Sequence, residues 1–133
     1  MSGELKVTYK SSRRVLVVED ESAVMGFLSA LLADRGYEVL QARNGVEAMV
    51  ALTAPQRDLP HAILLDIGLP LEGGISVLNF LRNVLGSALP VIIVTGRQEP
   101  EDEAAVRELG VTAFLKKPVT AQQVLSALSL ALD

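Results

Sequence analysis

The chain has 133 residues, no cysteine and a formal charge of −4, so it is the size of one globular domain and needs no covalent staples. Disulfides, thiolate metal sites and cysteine nucleophiles are excluded. Half of the residues are apolar but only 4% are aromatic, so the core must be Leu, Val, Ile and Ala, a palette that suits helices packed on a parallel sheet.

The basic pairs are Arg13-Arg14 and Lys116-Lys117, which is no concentrated face for DNA phosphates. The apolar stretch from Ala23 to Ala33 is too short to span a bilayer. Met1 to Ser12 is polar, lacks the apolar run of a signal peptide and reads as a flexible tail. Neither nucleic acid nor membrane is expected as a direct partner, and a cytoplasmic location is the default.

The remainder, residues 13–133, alternates β-branched runs with amphipathic stretches. Val15 to Val18 reads as a buried strand, and Val24, Phe27, Leu28, Leu31 and Leu32 then follow at the spacing of one helix face. Gly36 closes that helix. Tyr37 to Gln41 is a second strand, and Asn44 caps a helix running to about Ala54. Ala62 to Leu65 is a third strand ending at Asp66. After a turn with Pro70, Gly73 and Gly74, a third helix carries Val77, Leu78 and Leu81. Val91 to Val94 is a fourth strand ending at Thr95, and Glu99 to Leu109 a charged helix with Pro100 in its first turn. Thr112 to Leu115 is the fifth strand, and Thr120 with Gln123 forms a capping box for the last helix. Five β–α units predict an α/β fold, a single doubly wound parallel sheet with helices on both faces.

Polar groups collect where these strands end: Glu19-Asp20 after the first, Asp66 after the third, Thr95 at the end of the fourth, and Lys117-Pro118 just past the fifth. Open parallel sheets bind ligands at the carboxyl ends of their strands, so these groups are expected to converge. Glu19, Asp20 and Asp66 would repel one another, and a divalent cation relieves that. An all-oxygen donor set without His or Cys favours Mg²⁺ over Zn²⁺. With Lys117 as a point charge, Thr95 as a hydroxyl donor and Asp66 as a carboxylate nucleophile, the set suits phosphoryl transfer.

Four segments, V-L-V-V-E-D-E (15–21), L-L-D-I-G-L-P-L-E-G-G (64–74), V-I-I-V-T-G (91–96) and F-L-K-K-P (114–118), resemble the receiver domains of two-component response regulators. The resemblance runs from about Arg13 to Leu132. It implies a flavodoxin-like (βα)5 fold with strand order 2-1-3-4-5 and a phosphoprotein that signals in a phosphorelay. It makes Asp66 the phosphorylation site. Glu19, Asp20, Asp66 and the backbone carbonyl of Gly68 become the Mg²⁺ ligands, and Thr95 and Lys117 the phosphate-binding pair. Thr95 and Phe114 would form the conformational switch, although Phe114 also reads as a plain core residue. Pro118 is a candidate cis-proline. The implied partners are a sensor histidine kinase or phosphotransfer protein upstream and an effector protein or linked domain downstream. The only catalysis implied is the domain's own phosphorylation and autodephosphorylation.

Gly73 stands where the family usually has an acid, with Glu72 adjacent. Gly68 and Arg97, two residues past Asp66 and Thr95, are placed to shape water access to an acyl phosphate, or are ordinary loop residues. The lone histidine, His61, precedes a buried strand and is expected to be structural or at the surface. No effector sequence follows Asp133, which suggests a stand-alone regulator or a receiver excised from a longer chain. The uncharged last helix offers Leu130 and Ala127 beyond its core stripe. The rival reading is a phosphorylation-independent pseudo-receiver acting as an interaction module. A dehalogenase-type phosphatase is disfavoured because Gly68 replaces its second Asp, and a nucleotide-binding fold because acids replace its glycine-rich turn.

Overall fold

The computed structural model describes residues 13–69, 73–97 and 99–132; the expected tail and the turn residues Pro70 and Glu72 lie outside them. β1 (Arg14–Val18), β2 (Glu38–Ala42), β3 (Ala62–Leu65), β4 (Val91–Thr95) and β5 (Ala113–Lys116) form one sheet. Its order is β2-β1-β3-β4-β5 with parallel pairing throughout, as the resemblance implied. Helices α1 (Ser22–Asp34), α2 (Gly45–Leu52), α3 (Gly74–Asn79), α4 (Pro100–Leu109) and α5 (Ala121–Leu132) connect the strands or follow the last of them.

The strands alternate between two cores. Leu16, Val18, Ile63, Leu65, Val91 and Ile93 pack towards α2, α3 and α4, whereas Val15, Val17, Ala62, Leu64, Ile92 and Val94 pack towards α1 and α5. Because both faces are covered, β1, β3 and β4 are apolar at four consecutive positions each, 15–18, 62–65 and 91–94, rather than at alternate positions.

Local chemistry sets the helix ends. Gly36 sits at φ 88°, and the amides of Gly36 and Tyr37 return to the carbonyls of Ala33 and Leu32 at 3.0 and 3.1 Å, stopping α1 as expected. Asn44 Oδ1 accepts from the Glu47 amide at 2.9 Å while Glu47 Oε1 accepts from the Arg43 amide at 2.8 Å. Asn44→Ala should therefore cost about 1 kcal/mol, measurable as a lower urea midpoint at unchanged slope. Thr120 and Gln123 exchange the reciprocal bonds of a capping box at the start of α5. α3 continues as a wider π turn through Phe80–Val84. There Arg82 donates to the carbonyls of Ser87, Leu89, Leu109 and Gly110, tying the loops before β4 and β5 together.

Two helix faces differ from expectation. Met25, Leu28 and Leu32 are the buried stripe of α1, and Phe27 is 42% exposed. Phe27 satisfied the sequence period, but the period fixes a stripe only to within a neighbouring row, and the sheet selected the row through Met25. On α5, Ala127 joins Val124 and Leu128 in the core, while Leu130 is exposed; a small residue at the centre of that face lets the helix approach the sheet closely.

Candidate functional site

The chain leaves β1 for β2 on one side of the sheet and returns to β3 on the other, so a crevice opens where β1 and β3 end. Val18 pairs with Leu65, and the Asp66 amide donates to the Val18 carbonyl at 3.1 Å. Glu19 and Asp66 are therefore neighbours by register. Thr95, the last residue of β4, adds the third wall, and Lys117, just beyond β5, reaches in from the fourth. Among the described residues the buried polar side chains are Glu19, Asp66 and Thr95, all of them here.

Asp66 is the common partner. Its Oδ1 accepts from the Thr95 hydroxyl and the Gly68 amide, each at 2.8 Å. Its Oδ2 lies 3.0 Å from Lys117 Nζ. The same ammonium lies 2.9 Å from Glu19 Oε1 and 3.0 Å from Glu21 Oε1, so one cation serves three carboxylates. Burial by itself would lower the Lys117 pKa, but the hydrogen bonds to Glu19, Glu21 and Asp66 outweigh it and hold the ammonium above its ordinary value. Burial pushes the Glu19 carboxyl up; bonds from Lys117 and the Glu21 amide pull it down, and the nearby charge of Asp66 adds to the rise. The open cleft over these groups has a volume of about 380 Å³ and is bordered by Asp20, Gly68 and Arg97.

Residues 15–129 match the family model for the response regulator receiver domain. The chain belongs to the receiver family. This receiver is similar to the transcriptional regulatory protein DltR of Streptococcus agalactiae, 36% identical over 117 residues that make up 88% of this chain and 50% of that protein. It is also similar to the transcriptional regulatory protein PrrA of Mycobacterium tuberculosis, 38% identical over 108 residues, 81% of this chain and 45% of that protein. The chain thus spans about half the length of these curated relatives. Among solved structures, a response regulator receiver protein from Pseudomonas putida superposes with TM-score 0.83 at 28% identity, covering 90% of this chain and 98% of that one. The chemotaxis protein CheY4 of Vibrio cholerae gives 0.81 at 26%, covering 92% and 100%.

The receiver's acidic cluster fits a hard divalent cation. Glu19, Asp20 and Asp66 each offer a carboxylate oxygen, all within 4.8 Å of one another. Glu19 Oε1 is buried and accepts no aligned hydrogen bond, and among the described residues the cation beside it is Lys117 at 2.9 Å. A buried anionic oxygen in that state is a natural metal ligand.

The other sequence-selected residues fall in distinct places. The Lys117-Pro118 bond is cis. Phe114 is partly buried against the α2–α4 core, with the Arg107 guanidinium 5.8 Å from its ring centroid. Lys116 is exposed. His61 lies at the opposite end of β3 from Asp66, where its Nδ1 accepts from the Arg14 amide at 2.9 Å, a structural role at the surface. Two participants gave too little signal in the sequence. Glu21 is the third acid of the E-D-E run, but nothing in the run distinguishes a Lys117 partner from a solvated helix cap. Gly74 reads as a turn residue, yet a Cβ there would fall 2.3 Å from the Asp66 carbonyl oxygen.

No helix among the described residues is long and apolar enough to cross a membrane.

Proposed function

We propose that this receiver accepts a phosphoryl group on Asp66 from a phosphohistidine, in a sensor histidine kinase or a phosphotransfer protein, and alters its surface in response. The observation that supports this best is the single carboxylate of Asp66 held between a hydroxyl, an amide and an ammonium inside an acidic cluster. In the step itself an Asp66 oxygen attacks phosphorus, the donor P–N bond breaks, and its electron pair leaves on the imidazole nitrogen. Glu19, Asp20, Asp66 and the Gly68 carbonyl would hold Mg²⁺, which when bound neutralises charge on the phosphoryl oxygens. Lys117 would take a second phosphoryl oxygen.

Thr95 now donates to Asp66 Oδ1. Once that oxygen is bonded to phosphorus in the acyl phosphate, the better acceptor for the hydroxyl is a phosphoryl oxygen. Moving the hydroxyl there vacates space beside β5, into which Phe114 would turn; Thr95 and Phe114 are thus the proposed switch. Catalysis is limited to the domain's own phosphorylation and autodephosphorylation. The output is an effector protein or a linked domain, in the cytoplasm, carried by a receiver unit of residues 13–133 after a tail of residues 1–12.

The test is direct. Incubation with Mg²⁺ and acetyl phosphate should add one phosphoryl mass to the intact protein and none to Asp66→Asn. Chelating Mg²⁺ should abolish the adduct. An unmodified wild type would point instead to a phosphorylation-independent binding module.

A further inference from the structure

Arg97 is the second cation bordering the cleft, after Lys117. Its amide donates to the Thr95 hydroxyl oxygen at 3.1 Å, so its backbone is fixed to a residue of the site. Its stem passes over the open side of the cleft: the space where a Gly68 side chain would begin is bordered by Arg97 Cδ at 3.9 Å and Asp66 Oδ1 at 3.5 Å. The guanidinium is nevertheless engaged elsewhere. Arg97 Nε lies 2.7 Å from Asp102 Oδ2, in the first turn of α4, with the Arg97 side chain 53% and that of Asp102 15% exposed.

We propose that Arg97 is a further phosphoryl-binding cation and that Asp102 holds it in reserve while Asp66 is unmodified. This deepens the reading given above and rests on it. Lys117 is already divided among Glu19, Glu21 and Asp66, so a phosphoryl group arriving on Asp66 adds negative charge that this one ammonium cannot balance. Arg97 can supply the deficit by turning its head about a stem already beside the opening. The pair is open to water on its arginine side, which limits its strength. A phosphoryl group carries more charge and accepts the planar guanidinium in two parallel hydrogen bonds. Asp102 Oδ2 is itself buried and accepts no aligned hydrogen bond, so its release has a cost, which the helix N-terminus offsets in part and the more strongly charged phosphoryl group must exceed. The exchange also leaves α4 with an uncompensated carboxylate at Asp102, next to Glu101 and to a Glu103 already paired with Arg107, so the modification is expressed on that helix.

Beryllofluoride, which mimics a phosphoryl group on Asp66, provides the test. Beryllium is titrated calorimetrically into protein in excess fluoride and saturating Mg²⁺. Arg97→Ala should bind about fivefold more weakly, Asp102→Asn about threefold more tightly, and Arg97→Lys between Arg97→Ala and wild type. In the double variant Asp102→Asn should have no effect beyond that of Arg97→Ala, since Asp102 acts only through Arg97. A merely structural role for Asp102 would shift the thermal midpoint without this dependence on Arg97. Arg97→Gln serves in place of Arg97→Ala if that variant does not fold. Unchanged affinity in Arg97→Ala or in Asp102→Asn overturns the proposal, as does a tightening by Asp102→Asn that persists without Arg97. A wild type that takes up neither beryllofluoride nor a phosphoryl mass fails as a phosphoacceptor altogether. A wild type that binds while the variants are indistinguishable from it refutes only the role of Arg97.

Discussion

Lys117→Met should destabilise the metal-free protein by about 2–3 kcal/mol, and Mg²⁺ should restore part of the loss. Breaking a buried ion pair by removing one partner costs about 3–5 kcal/mol when the survivor is trapped as an uncompensated charge. The lower figure applies here because the Lys117 side chain is 14% exposed and a water-filled cleft opens beside it. Glu19 carries most of the penalty, being 1% exposed and closest to the missing ammonium. The effect has a definite pH sign. Burial already raises the Glu19 pKa in the folded state, and loss of Lys117 raises it further. A carboxyl with a raised folded-state pKa binds its proton more tightly folded than unfolded. The variant therefore recovers stability relative to wild type as pH falls from neutrality through the raised Glu19 value towards the unfolded one, and the deficit is largest at neutral pH. In the wild type, Lys117 has the opposite dependence: its raised value contributes stability that fades only as strongly alkaline pH approaches. Urea unfolding at pH 5 and pH 7.5, with and without Mg²⁺, checks both signs. Equal deficits at the two pH values would contradict this account.

Gly74→Ala should be comparably damaging, about 3 kcal/mol or roughly 10 °C in midpoint, although it adds a single methyl group. The first residue of α3 is pressed against the segment that follows β3. A Cβ on Gly74 would lie 2.3 Å from the Asp66 carbonyl oxygen and 2.4 Å from Ile67 Cα. Both obstacles are backbone, so no side-chain rotation relieves them. The chain must move at Asp66 itself, and the variant should lose phosphoryl uptake out of proportion to its lost stability. Gly73→Ser is the control. Nothing lies within 4 Å of a Cβ at Gly73, which has an ordinary φ of −67° as the N-cap of α3, and serine is a favourable N-cap. Thermal unfolding and acetyl phosphate labelling of the two variants should therefore diverge sharply. A neutral Gly74→Ala would mean that α3 docks more loosely than these distances imply.

These effects separate what was legible in the chain from what was not. The strands β1, β3 and β4 announce themselves because a strand covered on both faces must be apolar at consecutive positions, and Asn44, Gly36 and Thr120 mark helix ends because the orphan amides and carbonyls there demand specific chemistry. Strand-end placement also brought Glu19, Asp66, Thr95 and Lys117 to one crevice, since parallel strands all finish on the same side. Periodicity was a weaker guide: it put Phe27 in the core of α1, where the sheet took Met25.

The phosphoacceptor candidate Asp66 is one of several acids in the sequence and became the centre of the site only through strand register. Val18 opposite Leu65 sets Glu19 beside Asp66, and the β4 register brings Thr95 within 2.8 Å. Composition and local pattern determined which segments become strands and helices and which polar groups finish them, because those depend on neighbours a few residues apart. Specific side-chain and backbone contacts were decided by packing: across the whole chain Lys117 is shared among Glu19, Glu21 and Asp66, and over shorter spans Arg97 is held by Asp102 and Gly74 is pressed on the Asp66 backbone. Local preference carries no information about distances across a crevice. Those distances exist only once the sheet has stacked and both of its faces are buried.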